Sequence, residues 1–569
     1  MRIPLFRFDA AGRAAVLTTA LLLVILPAAA GQETGVFSFT PDAAALKPAG
    51  TGGQLYTNGE VGDFFRVTSS GTFRITIRAK GVPEDGVWPR MGLMVDKLPW
   101  RRARVDSADW QNYTFDVHLT AAVHLVGAML LNAPDSEEGA RDLLIERITI
   151  APVSGADPVE QVELGAWFAG AEAREQAVLA EANARIERHR TGPASVMVID
   201  AAGNAVADAE VTATLTRHAF LFGANIMGWD QFPDSGRNRD YKQRFRELFN
   251  FATLPFYWKL YEPERGRPQY RITEPVTAWC KANDIVMKGH TLVWPHEAGI
   301  PPWAEEAKLP AESVLKARVE DILGRFAQDI RYWEIINEPV NEPGAPVAAA
   351  QRWAREAAPE AKLLINEYGI LYEGHPAFYR YLEQAIADEV PFDAVGFQAH
   401  APTHMAFPLD RVHALLDSYA ELGKPIHITE FTPPVDGRSV QGATWRKRWD
   451  ADTQAEYAAD FYRLCFAHPA VEAISWWDFS DKGAWVPGGG LLDEMCLPKP
   501  AYRKLHDLIQ GEWRTEATGV TGADGTFTFT GFHGDYTITA RDPETGRTAE
   551  TTARFSPDGA DTVEVALVP

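Results

Sequence analysis

The sequence predicts an α/β protein whose main domain is a (β/α)8 TIM barrel. Between residues 216 and 513, short apolar segments alternate with amphipathic helical segments eight times, which favours a barrel over a doubly wound sheet. The segments on either side alternate polar and apolar residues with period two, as antiparallel strands do. We therefore expect a jelly-roll-like β-sandwich before the barrel and a small β-sandwich after it.

The first 30 residues have the three parts of a secretory signal peptide. Arg2, Arg7 and Arg13 supply positive charge, Ala14–Pro27 is an apolar run, and Ala28–Ala30 is a small-residue cleavage site. The apolar run is shorter than the ~20 residues that span a bilayer, so no stable membrane anchor is expected. The sequence predicts a secreted or periplasmic protein.

Residues 36–152 form the predicted N-terminal β-sandwich. Polar and apolar side chains alternate clearly over 73–78 and over 145–150. The pattern resembles the jelly-roll carbohydrate-binding modules that are attached to many glycanases, so this region is a possible module of that kind. Its tryptophans fit either a sugar-binding platform or core packing, namely Trp88, Trp100 and Trp110.

Residues 156–215 are expected to lead into the barrel as a linker helix and a β-hairpin. The helix is predicted over 158–190, which is rich in Ala, Glu and Arg with helical spacing of apolar residues. The hairpin is predicted from runs at 195–200 and 209–215 that flank a turn. After the barrel, 515–569 is predicted to be a separate small β domain.

The barrel region contains eight predicted strands with helical stretches between them. The predicted strands are Phe220–Ile226, Phe251–Phe256, Ile285–Trp294, Tyr332–Glu338, Lys362–Glu367, Ala394–His400, Pro425–Phe431 and Ala473–Phe479. The predicted helices include Tyr241–Phe249, Glu312–Phe326, Pro376–Asp388, Leu409–Leu422, Thr453–Phe466 and Ala501–Ile509. In barrels of this kind, catalytic residues lie at the C-terminal ends of the strands.

Two glutamates, Glu338 and Glu430, end the fourth and seventh predicted strands. Other strand ends add polar or aromatic groups, namely His290, Trp294, Asn337, Gln398, His400 and Trp477. An isolated acid at a strand end is more often a solvated loop charge. Because strands four and seven lie on opposite sides of a barrel mouth, this pair is expected to face each other across a ligand.

Two facing carboxyl groups can cleave a glycosidic bond. One protonates the leaving oxygen, and the other traps or stabilises the positive charge that develops on the sugar ring. General acid catalysis contributes ~10²–10⁴-fold, or roughly 3–5 kcal/mol. If the carboxyl groups are ~5–5.5 Å apart, the reaction retains the anomeric configuration. This chemistry requires no metal and no organic cofactor.

Several motifs in order along about half of the chain carry a resemblance. They are Gly223-Ala224, Glu262-Pro263-Glu264-Arg265-Gly266, Lys288 to Trp294, Pro302-Trp303, Trp333 to Glu338, Gly396 to His400, Ile428-Thr429-Glu430, Leu491-Leu492-Asp493 and Pro498 to Tyr502. Each motif alone is weak, but together they make residues 216–513 resemble the glycoside hydrolase family 10 xylanases.

The resemblance implies a role for each candidate residue. Glu338 would be the general acid/base and Glu430 the nucleophile. Asn337 would bind the 2-hydroxyl of the sugar in the −1 subsite, and His400 and Gln398 would orient Glu430. The other implied substrate contacts are His290 and Lys259 as hydrogen-bond donors or acceptors, and Trp294, Trp477 and Trp485. For His290 and Trp477 a purely structural role in the barrel is the alternative.

The segment after the second strand departs from the family pattern. The family usually has a Glu-Asn pair that binds the xylose in the −2 subsite, and this chain has Pro255 and Phe256 at those positions. The family also has a histidine directly after the strand-three tryptophan, whereas Pro295 follows Trp294 here. We expect weaker hydrogen-bonded recognition on this side, replaced by stacking on Phe256, Tyr257 and Trp258.

Composition limits the partners and cofactors. The 569-residue chain has a formal net charge of −22, which disfavours nucleic acid as a partner. The resemblance implies a polysaccharide or oligosaccharide substrate, and we expect a monomer. Its three cysteines are expected to be buried free thiols. A structural calcium ion in the N-terminal sandwich is one explanation for the acidic cluster Asp135, Glu137, Glu138 and Asp142, and surface charge is the other.

Three functions remain open from the sequence. The first is a retaining endo-1,4-β-xylanase or an enzyme acting on a related plant-wall β-glycan. The second is a barrel glycosidase of the same kind with a different substrate, which the altered −2 region favours. The third is a non-catalytic carbohydrate-binding protein, which the retention of both glutamates and their polar neighbours disfavours.

Overall fold

A computed structural model describes residues 37–39, 47–48, 53–55, 60–96, 98–132, 141–154, 157–162, 166, 170–304, 309–401, 405–557 and 562–568. The predicted signal peptide and the cluster residues Asp135, Glu137 and Glu138 lie outside these residues. The chain divides into two compact units, Met1–Val178 and Leu179–Pro569. Within the described residues, no helix has both the length and the apolar composition needed to cross a bilayer.

The first unit contains two antiparallel sheets. The six-stranded sheet comprises Phe37–Phe39, Lys47–Pro48, Gly53–Leu55, Gly71–Val82, Gln111–Leu119 and Asp142–Ser154. The five-stranded sheet comprises Glu60–Arg66, Arg90–Val95, Leu98–Arg104, Val123–Leu130 and Glu160–Gln161. The predicted alternation is visible in the Gly71–Val82 strand, whose Phe73, Ile75 and Ile77 are fully buried.

The predicted linker helix is shorter than expected. It spans Ala171–Arg190, whereas the sequence predicted a helix from residue 158. Glu160 and Gln161 instead pair with Arg66 and Phe65 as a strand. Sheet hydrogen bonding therefore overrides the helical preference of the first part of this segment.

Eight parallel strands close into a barrel, as the sequence predicted. Their bounds lie within three residues of the predicted ones: Leu221–Asn225, Phe251–Pro255, Val286–Val293, Tyr332–Asn337, Lys362–Glu367, Ala394–His400, Ile426–Thr432 and Val471–Trp476. The helices of this region are Ser235–Leu248, Trp258–Tyr261, Tyr270–Ala282, Glu312–Phe326, Val347–Ala357, Ile370–Glu373, Pro376–Ala387, Leu409–Ala420, Ala451–Ala467 and Pro500–His506, the last continuing as a π-helix over Asp507–Glu512. A short strand pair, Met405–Ala406 with Gln441–Gly442, and a 3-10 turn at Thr444–Arg446 complete it.

The barrel interior changes from apolar to polar along the strands. Near the strand starts lies a buried apolar cluster of Leu221, Phe251, Tyr332, Leu364, Ala394 and Ala473. Further along, Lys288 and Glu334 of the third and fourth strands are fully buried and form an ion pair. Asn366 of the fifth strand is also fully buried. The apolar layer fills the end of the barrel where the strands begin. The polar layers lie between it and the mouth at the C-terminal ends of the strands, where ligands bind in this architecture.

The two strands before the barrel were predicted to form a β-hairpin with each other, but they lie in different sheets and pair with strands of the tail instead. Thr191–Asp200 pairs with Thr526–Phe532 and with Thr562–Leu567. Glu210–His218 pairs with Glu516–Val520 and with Gly534–Arg541, which pairs with Thr548–Phe555. The sequence predicted the hairpin and the tail as two separate segments. Strand pairing across more than 300 residues of chain left no local signal in the sequence.

The shared core of these sheets explains why they pair. Buried side chains come from the strands on both sides of the barrel. Val196, Val198 and Val211 belong to the strands before it, and Tyr536 and Ile538 belong to the tail after it. Neither half has enough strands to cover its own apolar face, and burial of that face is the main force that joins strands. Outside this core, the three cysteines of the chain are buried and free, as predicted.

Candidate active site

Glu338 follows the fourth strand and lies buried at the barrel mouth. Its Oε1 accepts hydrogen bonds from Gln398 Nε2 at 2.6 Å and Asn337 Nδ2 at 3.0 Å, and its Oε2 accepts one from Trp294 Nε1 at 2.9 Å. Burial raises the pKa of Glu338 to about 8, against the lowering effect of the Gln398 hydrogen bond and with a further raising effect of Glu430. Glu338 is therefore protonated at neutral pH and can act as an acid.

The backbone at Glu338 is unusual. Its φ of 56° lies in the left-handed region, which residues with a side chain seldom adopt. Its N–H donates to Asn366 O on the neighbouring fifth strand at 2.8 Å, which holds this conformation in place. Backbone strain of this kind is typical of residues that a protein holds in one functional orientation.

Glu430 lies buried in the seventh strand and has hydrogen bonds at both carboxylate oxygens. Oε1 accepts from Asn366 Nδ2 at 2.9 Å, and Oε2 accepts from His400 Nε2 at 2.8 Å. His400 is held in turn by Thr432, whose Oγ1 lies 3.2 Å from its Nδ1. The carboxylate is thus fixed in one orientation, as a nucleophile must be.

Asn366 connects the two carboxyl groups. Its Nδ2 donates to Glu430 and also to Asn337 Oδ1 at 3.0 Å, and Asn337 Nδ2 donates to Glu338. Its Oδ1 accepts from Thr429 Oγ1 at 2.7 Å. Gly396 makes room for this amide, since a Cβ there would lie 2.5 Å from Asn366 Oδ1. A chain of two amides therefore links Glu338 to Glu430.

A second buried chain ends at His290. Its Nδ1 is hydrogen-bonded to Glu334, and the other oxygen of Glu334 accepts from Lys288. Burial alone would raise the pKa of Glu334, but the charges and hydrogen bonds of Lys288 and His290 lower it. Glu334 is therefore a carboxylate that fixes the His290 ring. The Nε2 of His290 lies 3.2 Å from the hydroxyl of Tyr257.

Two aromatic rings of the segment after the second strand are more buried than the sequence predicted. Phe256 is 0% exposed and packs against Tyr261, Phe326 and Trp333, and Trp258 is 1% exposed. The expectation that these two rings stack on a sugar is therefore wrong. Phe256 points into the layer between the barrel and its helices, where an aromatic side chain buries the most apolar area.

Tyr257 and Lys259 are the members of this segment that stay partly exposed with a polar group. The Tyr257 ring is edge-on to His290, with centroids 5.2 Å apart, and tilted against Trp294 at 6.0 Å. The ammonium of Lys259 lies 3.5 Å from a carboxylate oxygen of Glu297. Lys259 therefore has an acidic neighbour of its own.

Two tryptophans and a carboxyl group complete the walls. Trp477 is buried and edge-on to His290 and His400, at 5.2 and 5.7 Å, while Trp485 is 46% exposed and edge-on to His400 at 4.5 Å. Asp478 accepts a hydrogen bond from the backbone N–H of Trp485 at 2.8 Å. Burial raises the pKa of Asp478 to about 7, and the negative charges of Asp481 and Glu430 add to this effect.

Within the described part of the chain, two groups each bring three potential metal ligands within 4.8 Å of one another, namely His290, Glu334 and Glu430, and His413, Asp417 and His468. In the first group the Lys288 ammonium already contacts Glu334. In the second, the Arg185 guanidinium lies 2.9 Å from His413 Nε2. A metal ion would face a fixed positive charge in either place, so both groups fit hydrogen-bonded networks better than metal sites.

The structure brings most predicted site residues together and changes the role of one. Glu338, Glu430, Asn337, His400 and Trp294 belong to one hydrogen-bonded cluster. Gln398 was expected to orient Glu430, but its Nε2 donates to Glu338 Oε1 at 2.6 Å instead.

Four contributing residues were not assigned a role from the sequence, namely Lys288, Glu334, Asn366 and Asp478. Lys288, Glu334 and Asn366 share one signal, which is a charged or amide side chain inside an otherwise apolar strand. Such a side chain must find a partner when it is buried. Asp478 gives the same signal within the predicted strand Ala473–Phe479, although the observed strand ends at Trp476.

Comparison with known proteins places the barrel region in a family. Residues 213–508 match the model of Glycosyl hydrolase family 10. Endo-1,4-beta-xylanase B of Thermotoga neapolitana is 29% identical over 316 residues, which cover 51% of this chain and 88% of that protein. Anti-sigma-I factor RsgI6 of Acetivibrio thermocellus is 27% identical over 380 residues, covering 64% of this chain and 47% of that protein.

Among solved structures, xylanase 10B from Thermotoga petrophila in complex with xylobiose is similar to this chain. It is 27% identical, with a TM-score of 0.44, over 52% of this chain and 95% of that chain.

Proposed function

The chain belongs to glycosyl hydrolase family 10, and from this premise we propose that it is an endo-1,4-β-xylanase-type enzyme. Its substrate would be β-1,4-xylan or a related plant-wall β-glycan, cleaved with retention of configuration by double displacement. Glu338 would be the general acid/base and Glu430 the nucleophile. The relatives named as xylanases support the substrate, and the arrangement of the two carboxyl groups supports the reaction.

One observation carries this proposal: the two carboxyl groups have different surroundings. Burial raises the pKa of Glu338 to about 8, so this group carries a proton at neutral pH. Glu430 has different partners: Asn366 Nδ2 donates to its Oε1 and His400 Nε2 donates to its Oε2, which fixes the carboxylate in one orientation. An acid and an oriented nucleophile in one cleft are what retaining hydrolysis requires.

In the first step, the Glu338 carboxyl would give its proton to the glycosidic oxygen as the bond from that oxygen to the anomeric carbon breaks. Glu430 would form a bond to the anomeric carbon from the opposite face. Oε2 of Glu338 accepts one hydrogen bond and Oε1 accepts two. Oε2 is therefore the oxygen with room to carry the proton.

In the second step, Glu338 would take a proton from water while the water oxygen attacks the anomeric carbon and the bond to Glu430 breaks. Glu430 is uncharged while it is esterified. The raising effect of its charge on the pKa of Glu338 is then absent, so Glu338 loses its proton more easily when it must act as a base. Two inversions at one carbon give net retention.

The test is hydrolysis of xylan by the purified chain, with the anomeric configuration of fresh reducing ends followed by NMR. We expect a ladder of xylo-oligosaccharides whose new reducing ends are first β and then mutarotate. Failure to release xylo-oligosaccharides would refute the substrate, and initial release of α ends would refute the retaining mechanism.

A second candidate is a glycosidase of this family with a different glycone. The observation that favours it is the segment after the second strand, where Pro255 and the buried Phe256 stand in place of a polar pair. A panel of plant-wall polysaccharides, assayed in parallel, distinguishes the two. Faster release from another β-glycan than from xylan would support the second candidate.

We also propose that the protein is exported and that the β-sheet regions outside the barrel are β-sandwiches. The N-terminal pattern of positive charge, apolar run and small residues supports secretion or export to the periplasm after cleavage near residue 30. The two antiparallel sheets of the first unit support a jelly-roll-like β-sandwich that binds carbohydrate. The sheets formed by 191–218 and 516–567 support a second, smaller β-sandwich. We further propose that the protein is a monomer.

A further inference from the structure

We propose that Tyr257 is a substrate-binding residue, and that its hydroxyl binds a ring hydroxyl of the sugar on the non-reducing side of the cleavage point. This inference rests on the proposed function. It assigns to Tyr257 a contact that the sequence assigned to His290, on the side of the mouth where the usual polar pair is missing.

His290 has no ring nitrogen left for a sugar. Glu334 is held as a carboxylate between Lys288 and His290, and a carboxylate can only accept hydrogen bonds. The Nδ1 of His290 must therefore carry a proton that it donates to Glu334. The remaining Nε2 lies 3.2 Å from the hydroxyl of Tyr257, so that hydroxyl covers the nitrogen that would otherwise face the substrate.

The Tyr257 hydroxyl keeps one hydrogen-bonding position open. When His290 is neutral, Nε2 accepts the Tyr257 proton, and the phenol oxygen can still accept a hydrogen bond from a sugar hydroxyl. When His290 is charged, Nε2 donates, and the phenol proton is free for the sugar instead. Among the residues that the structure describes, the hydroxyl has no hydrogen-bond partner besides His290.

The location of Tyr257 places this open position at the cleavage site. Burial raises its pKa well above 10, and the negative charges of Glu430, Glu334 and Glu338 raise it further. The geometry gives the location, since the Tyr257 ring lies against Trp294, whose Nε1 donates to Glu338 Oε2 at 2.9 Å. The ring, supported by His290 and Trp294, holds the hydroxyl there. From the same segment, Phe256 and Trp258 are buried away from the mouth.

The experiment is a comparison of Tyr257→Phe with the parent enzyme on aryl β-xylosides that lack the 3- or the 4-hydroxyl. The substitution keeps the ring and removes only the hydroxyl. On the complete substrate we expect kcat/KM to fall by about tenfold, as for loss of one hydrogen bond in a closed site. For the parent, removing the contacted sugar hydroxyl has a similar cost. In Tyr257→Phe, removing the same sugar hydroxyl should lower kcat/KM by no more than about twofold, because the tyrosine hydroxyl that binds it is already absent.

Tyr270→Phe is the matched control. Its hydroxyl donates to Asp321 at 3.1 Å on the helical surface, so it also loses one phenol hydrogen bond, and its penalties for the deoxy substrates should equal those of the parent. If Tyr257→Phe lowers kcat/KM but keeps both deoxy penalties of the parent, Tyr257 only positions His290, and the inference is wrong. If the parent hydrolyses no β-xyloside at all, the proposed function fails and this inference fails with it.

Discussion

The two sides of the barrel mouth are built differently. On the side of strands four to seven, polar side chains bind one another: Asn337 and Gln398 hold Glu338, and Asn366 and His400 hold Glu430. On the side of the second strand, Phe256 and its neighbour Trp258 are buried among aromatic rings. The chemistry of the site is therefore preorganised independently of the surface that recognises the sugar beyond the cleavage point.

This comparison predicts that the strongest effects on rate come from strands four and seven. Glu430→Ala should lower kcat/KM by on the order of 10⁴-fold, because no other group can bond to the anomeric carbon. Added azide should restore turnover of an aryl β-glycoside, since it fits the space that the carboxylate leaves. The product should be the α-glycosyl azide, which NMR identifies, because only one inversion has occurred.

Glu512→Ala is the control for Glu430→Ala. Glu512 lies outside the mouth and pairs with Arg463 at 2.5 Å, so its removal should leave the rate unchanged. Retention of most of the parent activity in Glu430→Ala would contradict the assignment of the nucleophile. A β-glycosyl azide from that variant would contradict it as well, because that product requires an intermediate on an intact nucleophile.

The second prediction concerns the acid. Because the pKa of Glu338 is raised to about 8, the parent should lose kcat/KM as the pH rises through about 8, where the acid loses its proton. Glu338→Ala should lower the rate by ~10²–10⁴-fold on substrates with poor leaving groups. It should have a much smaller effect on an aryl glycoside whose leaving group needs no proton. An equal loss on both substrates would show that Glu338 is not the acid.

The third prediction concerns the side of the second strand. Phe256→Asn restores the residue type that the family usually has there, but it removes a fully buried ring and buries an amide. We expect the free energy of unfolding to fall by about 3–5 kcal/mol, as for large-to-small changes in a core, and no gain in xylan affinity. Urea denaturation measures the first effect and calorimetry with xylo-oligosaccharides the second.

Tyr257→Asn, at the next position, is the matched comparison for Phe256→Asn. Tyr257 is only partly buried, so its replacement should cost clearly less stability. Equal losses in the two variants would mean that the two positions are equally buried. Tighter binding of xylo-oligosaccharides by a folded Phe256→Asn variant would mean that this side of the mouth still has room for the usual polar pair.

The same difference between the two sides explains what the sequence could predict. Glu338 and Glu430 were predictable because each is a charge directly at the end of an apolar run, and the barrel topology then places both at one mouth. The burial of Phe256 was not predictable, because a run of three aromatic residues after a strand does not say which ring points inward. That choice depends on Phe326 and Trp333, which are distant in sequence.

The β sheets on either side of the barrel illustrate the same limit. The strands over Ser195–Asp200 and Thr526–Thr530 were visible from their alternation. Their pairing was not, because the barrel lies between them in the sequence and each half shows only its own turns. Val196 opposite Phe527 in the observed register is a contact that only the folded chain defines. Local patterns predict elements well, and long-range pairing decides which elements form one core.

The smallest predicted effect tests the corrected role of Gln398. Its hydrogen bond lowers the pKa of Glu338, so Gln398→Leu should raise that pKa and move the alkaline fall of kcat/KM to higher pH. His400→Gln changes the partner of Glu430 but keeps a hydrogen-bond donor. It should lower kcat/KM without changing the pH at which kcat/KM falls on the alkaline side. If Gln398 instead acted on Glu430, its variant would behave like His400→Gln, and the pH profiles of the two variants would coincide. A shift in Gln398→Leu alone would establish that each carboxyl group at the mouth has its own amide or imidazole partner, and that neighbouring positions on one strand tune the acid and the nucleophile separately.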